Sequence, residues 1–169
     1  MDHFAKPDDE LAFAQREGKL YRNFQGYSTH SDCDLVGLGV TSIGRVGDAY
    51  MQNYKELEEY AAAISAGKLP VFRGVNLDAD DQLRRAVITQ LICHFDLNFN
   101  KIEQVFNIVF SEYFASELQN LKQMETDGLI SINETGIHVQ SVGRLLIRNV
   151  CMVFDKYLAK KPQQFSKVI

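Results

Sequence analysis

The chain has 169 residues, of which 46% are hydrophobic and 24% charged, with a formal net charge of −4. That is enough to bury a core as one domain with an appended segment, and the acidic balance argues against a dedicated nucleic-acid surface. No apolar run reaches the length that crosses a bilayer, the start Met1-Asp2-His3-Phe4 lacks the basic-then-apolar pattern of a secretory leader, and three widely spaced cysteines fit a reduced cytoplasm.

Asp2–Phe4 set a histidine beside an aspartate, but at a chain end without neighbours this carries no catalytic assignment, and the resemblance given below implies that the stretch is a seam. Pro7-Asp8 opens a helix that Asp8 can cap, with Leu11, Phe13 and Ala14 on its apolar face up to Gly18. Tyr21, Phe24 and Tyr27 stand among polar residues, either as a ligand platform or as a loop pinned to a core.

The densest signal is Tyr21–Asp48, with glycines at 26, 37, 39, 44 and 47. Asp34–Val40 reads as a strand, and Thr41–Asp48 as a loop that presents main chain to something, because glycine serves where another group must approach the backbone. A tight turn without ligand is the plainer alternative. Gly37-x-Gly39 is not a dinucleotide fingerprint, since Ser42 stands where the third glycine belongs.

Asn53 is expected to cap a helix carrying Tyr54, Leu57, Tyr60, Ala61 and Ile64 and closed by Gly67. Leu69–Gly74 is extended, and Pro70 confines it to an edge or a strand start. Asp78 starts a strong helix, with Asp81 adding negative charge where the dipole favours it and Leu83, Val87, Leu91 and Ile92 on its apolar face. Arg84 and Arg85 could fork onto carboxylates of a ligand or lie solvated beside Asp80 and Asp81. His94 reads as a surface histidine at the helix end, and Cys93 and Cys151 as buried inert thiols. Cys33 sits next to Asp32 and Asp34, which discourages a thiolate.

A short helix over Lys101–Asn107 follows, then a longer one that Ser111 caps, with Phe114, Leu118, Leu121 and Met124, ending at Gly128. Leu129–Ile132 and Gly136–Val139 alternate around a hairpin turn. The final helix, Gly143–Tyr157, carries Leu146, Val150, Val153 and Tyr157. The fold class is therefore α+β, mostly helical, with a winged-helix-like C-terminal half. The expected divisions are a seam over 1–27, a Gly-rich strand and loop with its helix over 28–76, a helical domain over 77–159 and a tail over 160–169. Winged-helix order raises the alternative of a stand-alone nucleic-acid or protein binding module using Arg144, Arg148 and Lys156, against which the net charge speaks.

Several collinear blocks carry a resemblance: Arg22-Asn23-Phe24-Gln25-Gly26-Tyr27, Asp34–Asp48, Phe72-Arg73-Gly74, Arg84–Ile88, Leu91-Ile92-Cys93, Asp127-Gly128-Leu129, Gly143–Asn149 and Gln164–Ile169. Together they resemble the C-terminal part of the oxygen-independent coproporphyrinogen III oxidases, radical S-adenosylmethionine enzymes of haem (porphyrin) biosynthesis. That resemblance implies a parent oxidoreductase that decarboxylates two propionates of coproporphyrinogen III, giving protoporphyrinogen IX. It also implies S-adenosylmethionine and a [4Fe–4S] cluster in the parent, held in an N-terminal catalytic barrel. Cys33, Cys93 and Cys151 do not form the family's C-x3-C-x2-C run. The chain is thus expected to be a non-catalytic lid piece of a longer cytoplasmic enzyme, with neither group bound to it. Its partners are the barrel and, through the parent, coproporphyrinogen III, with no membrane and no nucleic acid. By resemblance, Ile43 is an S-adenosylmethionine-contacting position. No catalytic residue and no metal ligand is assigned, and the substrate-binding side chains stay unknown. A haem-carrying relative of the same wider group is a third possibility, which the blocks at 22–27 and 164–169 disfavour.

Overall fold

A computed structural model describes residues 5–31 and 33–158. The seam at Asp2–Phe4 and the tail over 160–169 lie outside the described residues. The chain falls into two compact units, Met1–Gln82 and Leu83–Ile169.

The first unit opens with α1, Glu10–Arg16. Its cap is Asp9, one residue later than expected, whose carboxylate accepts from the Leu11 N–H at 2.9 Å. A minimal antiparallel pair follows, β1 (Tyr21–Arg22) with β2 (Tyr27–Ser28). The main sheet has three antiparallel strands in the order β3 (Ile43–Val46), β4 (Ala49–Asn53), β5 (Val71–Asn76). The tight turn Gly47-Asp48 joins β3 to β4, and α2 (Leu57–Ser65) connects β4 to β5. β5 is an edge strand preceded by Pro70, as the proline requires.

Three expectations are corrected here. Asp34–Val40 is not a strand: it touches the sheet through one antiparallel bridge, Leu35 to Arg45. Half of the expected loop Thr41–Asp48 is β3 itself. Asn53 caps nothing: it ends β4 and is buried, and α2 starts four residues later with no side-chain cap.

α3 (Ala79–His94) begins in the first unit and runs into the second. Asp78 and Asp81 form a reciprocal box at its start. The Asp81 N–H donates to the Asp78 carboxylate at 2.7 Å, and the Asp78 N–H to that of Asp81 at 3.1 Å. The second unit continues with β6 (Asp96–Asn98), α4 (Phe99–Phe106), α5 (Phe110–Tyr113), α6 (Ala115–Asn120) and α7 (Lys122–Thr126). The hairpin β7 (Ile130–Asn133) and β8 (Gly136–Val139), a 3-10 turn over Gly143–Leu146, and α8 (Ile147–Met152) complete it. The hairpin falls where alternation put it, and β6, unforeseen, joins to give the sheet order β6-β8-β7.

The helix expected from Ser111 to Gly128 is instead the three pieces α5, α6 and α7, with Phe114 and Leu121 at the breaks. Both break residues are fully buried, so packing wins over continuation of the helix. The final helix is likewise shorter than periodicity suggested and stops at Met152. An aromatic group centres this unit's core. Phe99 stacks on Phe110 at 4.1 Å, and Phe114 meets Phe110 at 4.8 Å and Phe154 at 5.4 Å. Leu83, Val87 and Leu91 of α3 pack into the same cluster.

Candidate functional site

In the first unit, side-chain bonds from several elements meet on one segment, Asp34 to Ile43. Two glycines let this segment lie directly on β3. A Cβ on Gly44 would stand 2.7 Å from the Leu35 carbonyl oxygen, and one on Gly37 would stand 2.9 Å from the Ser42 Cβ. The Leu35–Arg45 bridge closes the approach with two 2.7 Å backbone bonds. Arg45 then clamps the preceding chain: its guanidinium donates to the Cys33 carbonyl at 2.7 Å, the Ser31 carbonyl at 3.2 Å and the Tyr21 hydroxyl at 2.7 Å. Phe24 meets Tyr50 edge-on at 5.1 Å, so Tyr21 and Phe24 serve as anchors for their own loop.

Beyond Leu35 the chain turns its carbonyls inward. Asn53 Nδ2 donates to both Gly37 O and Gly39 O, each at 2.9 Å. The Ser42 hydroxyl donates to Leu38 O at 2.6 Å. The Gly39 N–H donates to the Tyr60 hydroxyl of α2 at 3.0 Å. At the far end Thr41 has φ +60, a conformation that costs a β-branched residue roughly 1–3 kcal/mol. Bonds from the Thr41 N–H to Tyr54 O at 2.8 Å and from the Gln52 side chain to Thr41 O at 3.2 Å hold it there. The apolar side chains point the other way: Leu38 is 83% exposed and Val36 70%. Ile43, the first residue of β3, is half-buried and pairs with Gln52. The segment is thus a fixed loop with its polar main chain tied to the fold and aliphatic groups turned out.

The other singled-out residues lie elsewhere. Arg84 is half-buried rather than on a fully solvated face. Its guanidinium pairs with Glu117 at 2.9 Å, donates to Phe154 O at 3.1 Å and lies over the Phe114 ring. Burial pushes the Glu117 carboxyl up, but hydrogen bonds from Ser116 and Arg84 and the arginine's charge outweigh it and hold the group below its usual value. Glu125 is also lowered, first by the Ile132 backbone N–H and then by Lys122. His94 is half-buried in the last turn of α3, not on the surface. Arg144 lies over the Phe95 ring at 4.9 Å. Cys93 and Cys151 are buried and Cys33 exposed, and among the described residues no His/Cys/Asp/Glu group could hold a metal ion. These thiols do not fit a cubane cluster, which needs closely spaced thiolates.

Asn53 and Tyr60 were missed as site-shaping residues. Their partners lie 14 to 21 positions away along the chain, and no local pattern announces such bonds.

Residues 77–146 match the family model of the HemN C-terminal domain. The chain's likeness to whole relatives extends beyond this match. Over its full length it is 56% identical to the oxygen-independent coproporphyrinogen III oxidase of Salmonella typhimurium and 52% identical to that of Pseudomonas aeruginosa. It spans 37% of the length of each of these relatives. The solved coproporphyrinogen III oxidase of Escherichia coli, described as a radical SAM enzyme, superposes with a TM-score of 0.89 at 52% identity. That match covers 93% of this chain and 36% of the solved one. The HemN C-terminal domain match begins just before α3 and takes in the second unit's core except Val150, Cys151 and Phe154, while the likeness to the whole relatives also takes in the Asp34–Ile43 loop. The α+β class holds, and among the described residues no helix is long and apolar enough to cross a membrane.

Proposed function

We propose that the chain is the C-terminal accessory part of a cytoplasmic enzyme that decarboxylates coproporphyrinogen III to protoporphyrinogen IX without oxygen. The carrying observation is end-to-end likeness to oxidases of which the chain makes up 37%. In this reading the remainder, a catalytic barrel, is the partner and holds the [4Fe–4S] cluster and most substrate contacts. S-adenosylmethionine, when bound, supplies the oxidising radical. The helical domain over 77–159 acts as a lid that keeps water from the reacting centre, and the loop ending at Ile43 lines the S-adenosylmethionine site. An aliphatic side chain on a fixed strand suits the face of an adenine or ribose.

An anaerobic assay tests this reading: the longer polypeptide that carries this chain forms protoporphyrinogen, and the 169-residue chain alone forms none. Product from the chain alone would overturn it.

A further inference from the structure

We infer that Asn53 and Tyr60 are positioning residues that hold the Gly37–Ile43 loop in the form that receives S-adenosylmethionine; this rests on the reading of Ile43 given above. Two independent elements converge on the loop. Asn53, 6% exposed at the end of β4, spends both side-chain N–H groups on Gly37 O and Gly39 O. Tyr60, on α2, receives the Gly39 N–H. Gly37 O and Gly39 O are thus turned to Asn53, while Ser42, within the loop itself, bonds the exposed Leu38 O between them. What the loop then offers outward is Leu38 and Val40, next to Ile43.

A loop needed only as a connection would not call for this. Gly39 sits at φ +93 and Thr41 at φ +60, and leucine and valine face solvent in this unit. Strain and exposed aliphatics held by a buried amide are the marks of a segment set in advance for something that lands on it. Asn53 supplies donors where an aspartate, of the same shape, has none. Tyr60 reaches the loop from a different element, so each residue can be altered without removing the other's bond.

The test uses the longer, cluster-loaded polypeptide that carries this chain, with variants Asn53→Asp, Tyr60→Phe and Ile43→Ala. Equilibrium binding of S-adenosylmethionine is read by calorimetry without turnover. KM is measured for S-adenosylmethionine and for the porphyrinogen, and exchange of the Gly39 amide is followed by mass spectrometry. Asn53→Asp is expected to weaken S-adenosylmethionine binding on the order of ten- to a hundredfold. Tyr60→Phe is expected to weaken it less, both with faster Gly39 exchange and an unchanged KM for the porphyrinogen. Faster Gly39 exchange with unaltered S-adenosylmethionine binding would overturn the inference, as would an equal loss for both substrates. If Asn53→Asp does not fold, Tyr60→Phe decides on the same criteria. Ile43→Ala separates the two ideas. If it alone weakens binding, the latch is wrong and the contact stands. If it has no effect while the latch variants do, the contact reading fails and the loop acts through other atoms.

Discussion

Glu117 is the side chain on which the second unit's polar interior turns. It balances the Arg84 guanidinium between α3 and α6, with side chains only 16% and 12% exposed. Glu117→Gln weakens a charge-assisted hydrogen bond to Arg84. It should therefore cost about 2 kcal/mol, the ordinary worth of a hydrogen bond to a charged group. Denaturant unfolding at neutral pH measures it. The sign with pH follows from the lowered carboxyl. Its stabilisation is complete above the ordinary glutamate value of about 4.3 and is lost as pH falls through the lower folded value. The gap between the two proteins should accordingly narrow between pH 6 and pH 3, and a constant gap would remove the charge from the explanation. Neither this pair nor the Asn53 latch is legible from sequence. Arg84 and Glu117 are 33 residues apart, and each side chain suits a solvated helix face equally well until the fold brings them together.

At the scale of elements, α3 was legible because its signals are local: an Asp-x-x-Asp box and aliphatics at helical spacing, which the fold buries at Leu83, Val87 and Leu91. Asp78→Ala should destabilise by about 1 kcal/mol, the ordinary worth of a cap, read as a shift of the thermal midpoint. An unshifted midpoint would mean that packing alone fixes the helix start. Asp34–Val40 misled for a physical reason. Its alternating aliphatics match a half-buried strand, yet here Val36 and Leu38 face solvent and Gly37 between them serves close approach to the start of β3. The single long helix expected after Ser111 failed because Phe110, Phe114 and Leu121 are all fully buried. Bending at Phe114 and Leu121 buries all three in one core.

At the scale of the molecule, the two units differ in what holds them. Among the described residues of the first, the buried hydrophobic side chains are Ala14 and Leu20, whereas the second has a continuous cluster from Leu83 to Phe154. Chain entropy of about 1–2 kcal/mol per ordered residue needs apolar burial to offset it. In the isolated chain, amides of α3, β7 and β8 should exchange through global opening, while those of β3, β4 and β5 exchange far faster. Equal protection in both units would show that the first is stable without a covering partner. The pattern also explains why α3 and the β7–β8 hairpin were more legible than β3 and β4: the first unit buries few hydrophobic side chains, so apolar spacing marks its strands weakly. On the proposed function, this chain does the work of the matching third of an oxidase. Replacing that part of the Escherichia coli relative with this chain, and following anaerobic protoporphyrinogen formation, tests it. A folded hybrid that turns over within about tenfold of the parent is expected. A folded, cluster-loaded hybrid that binds both substrates yet forms no product would contradict it.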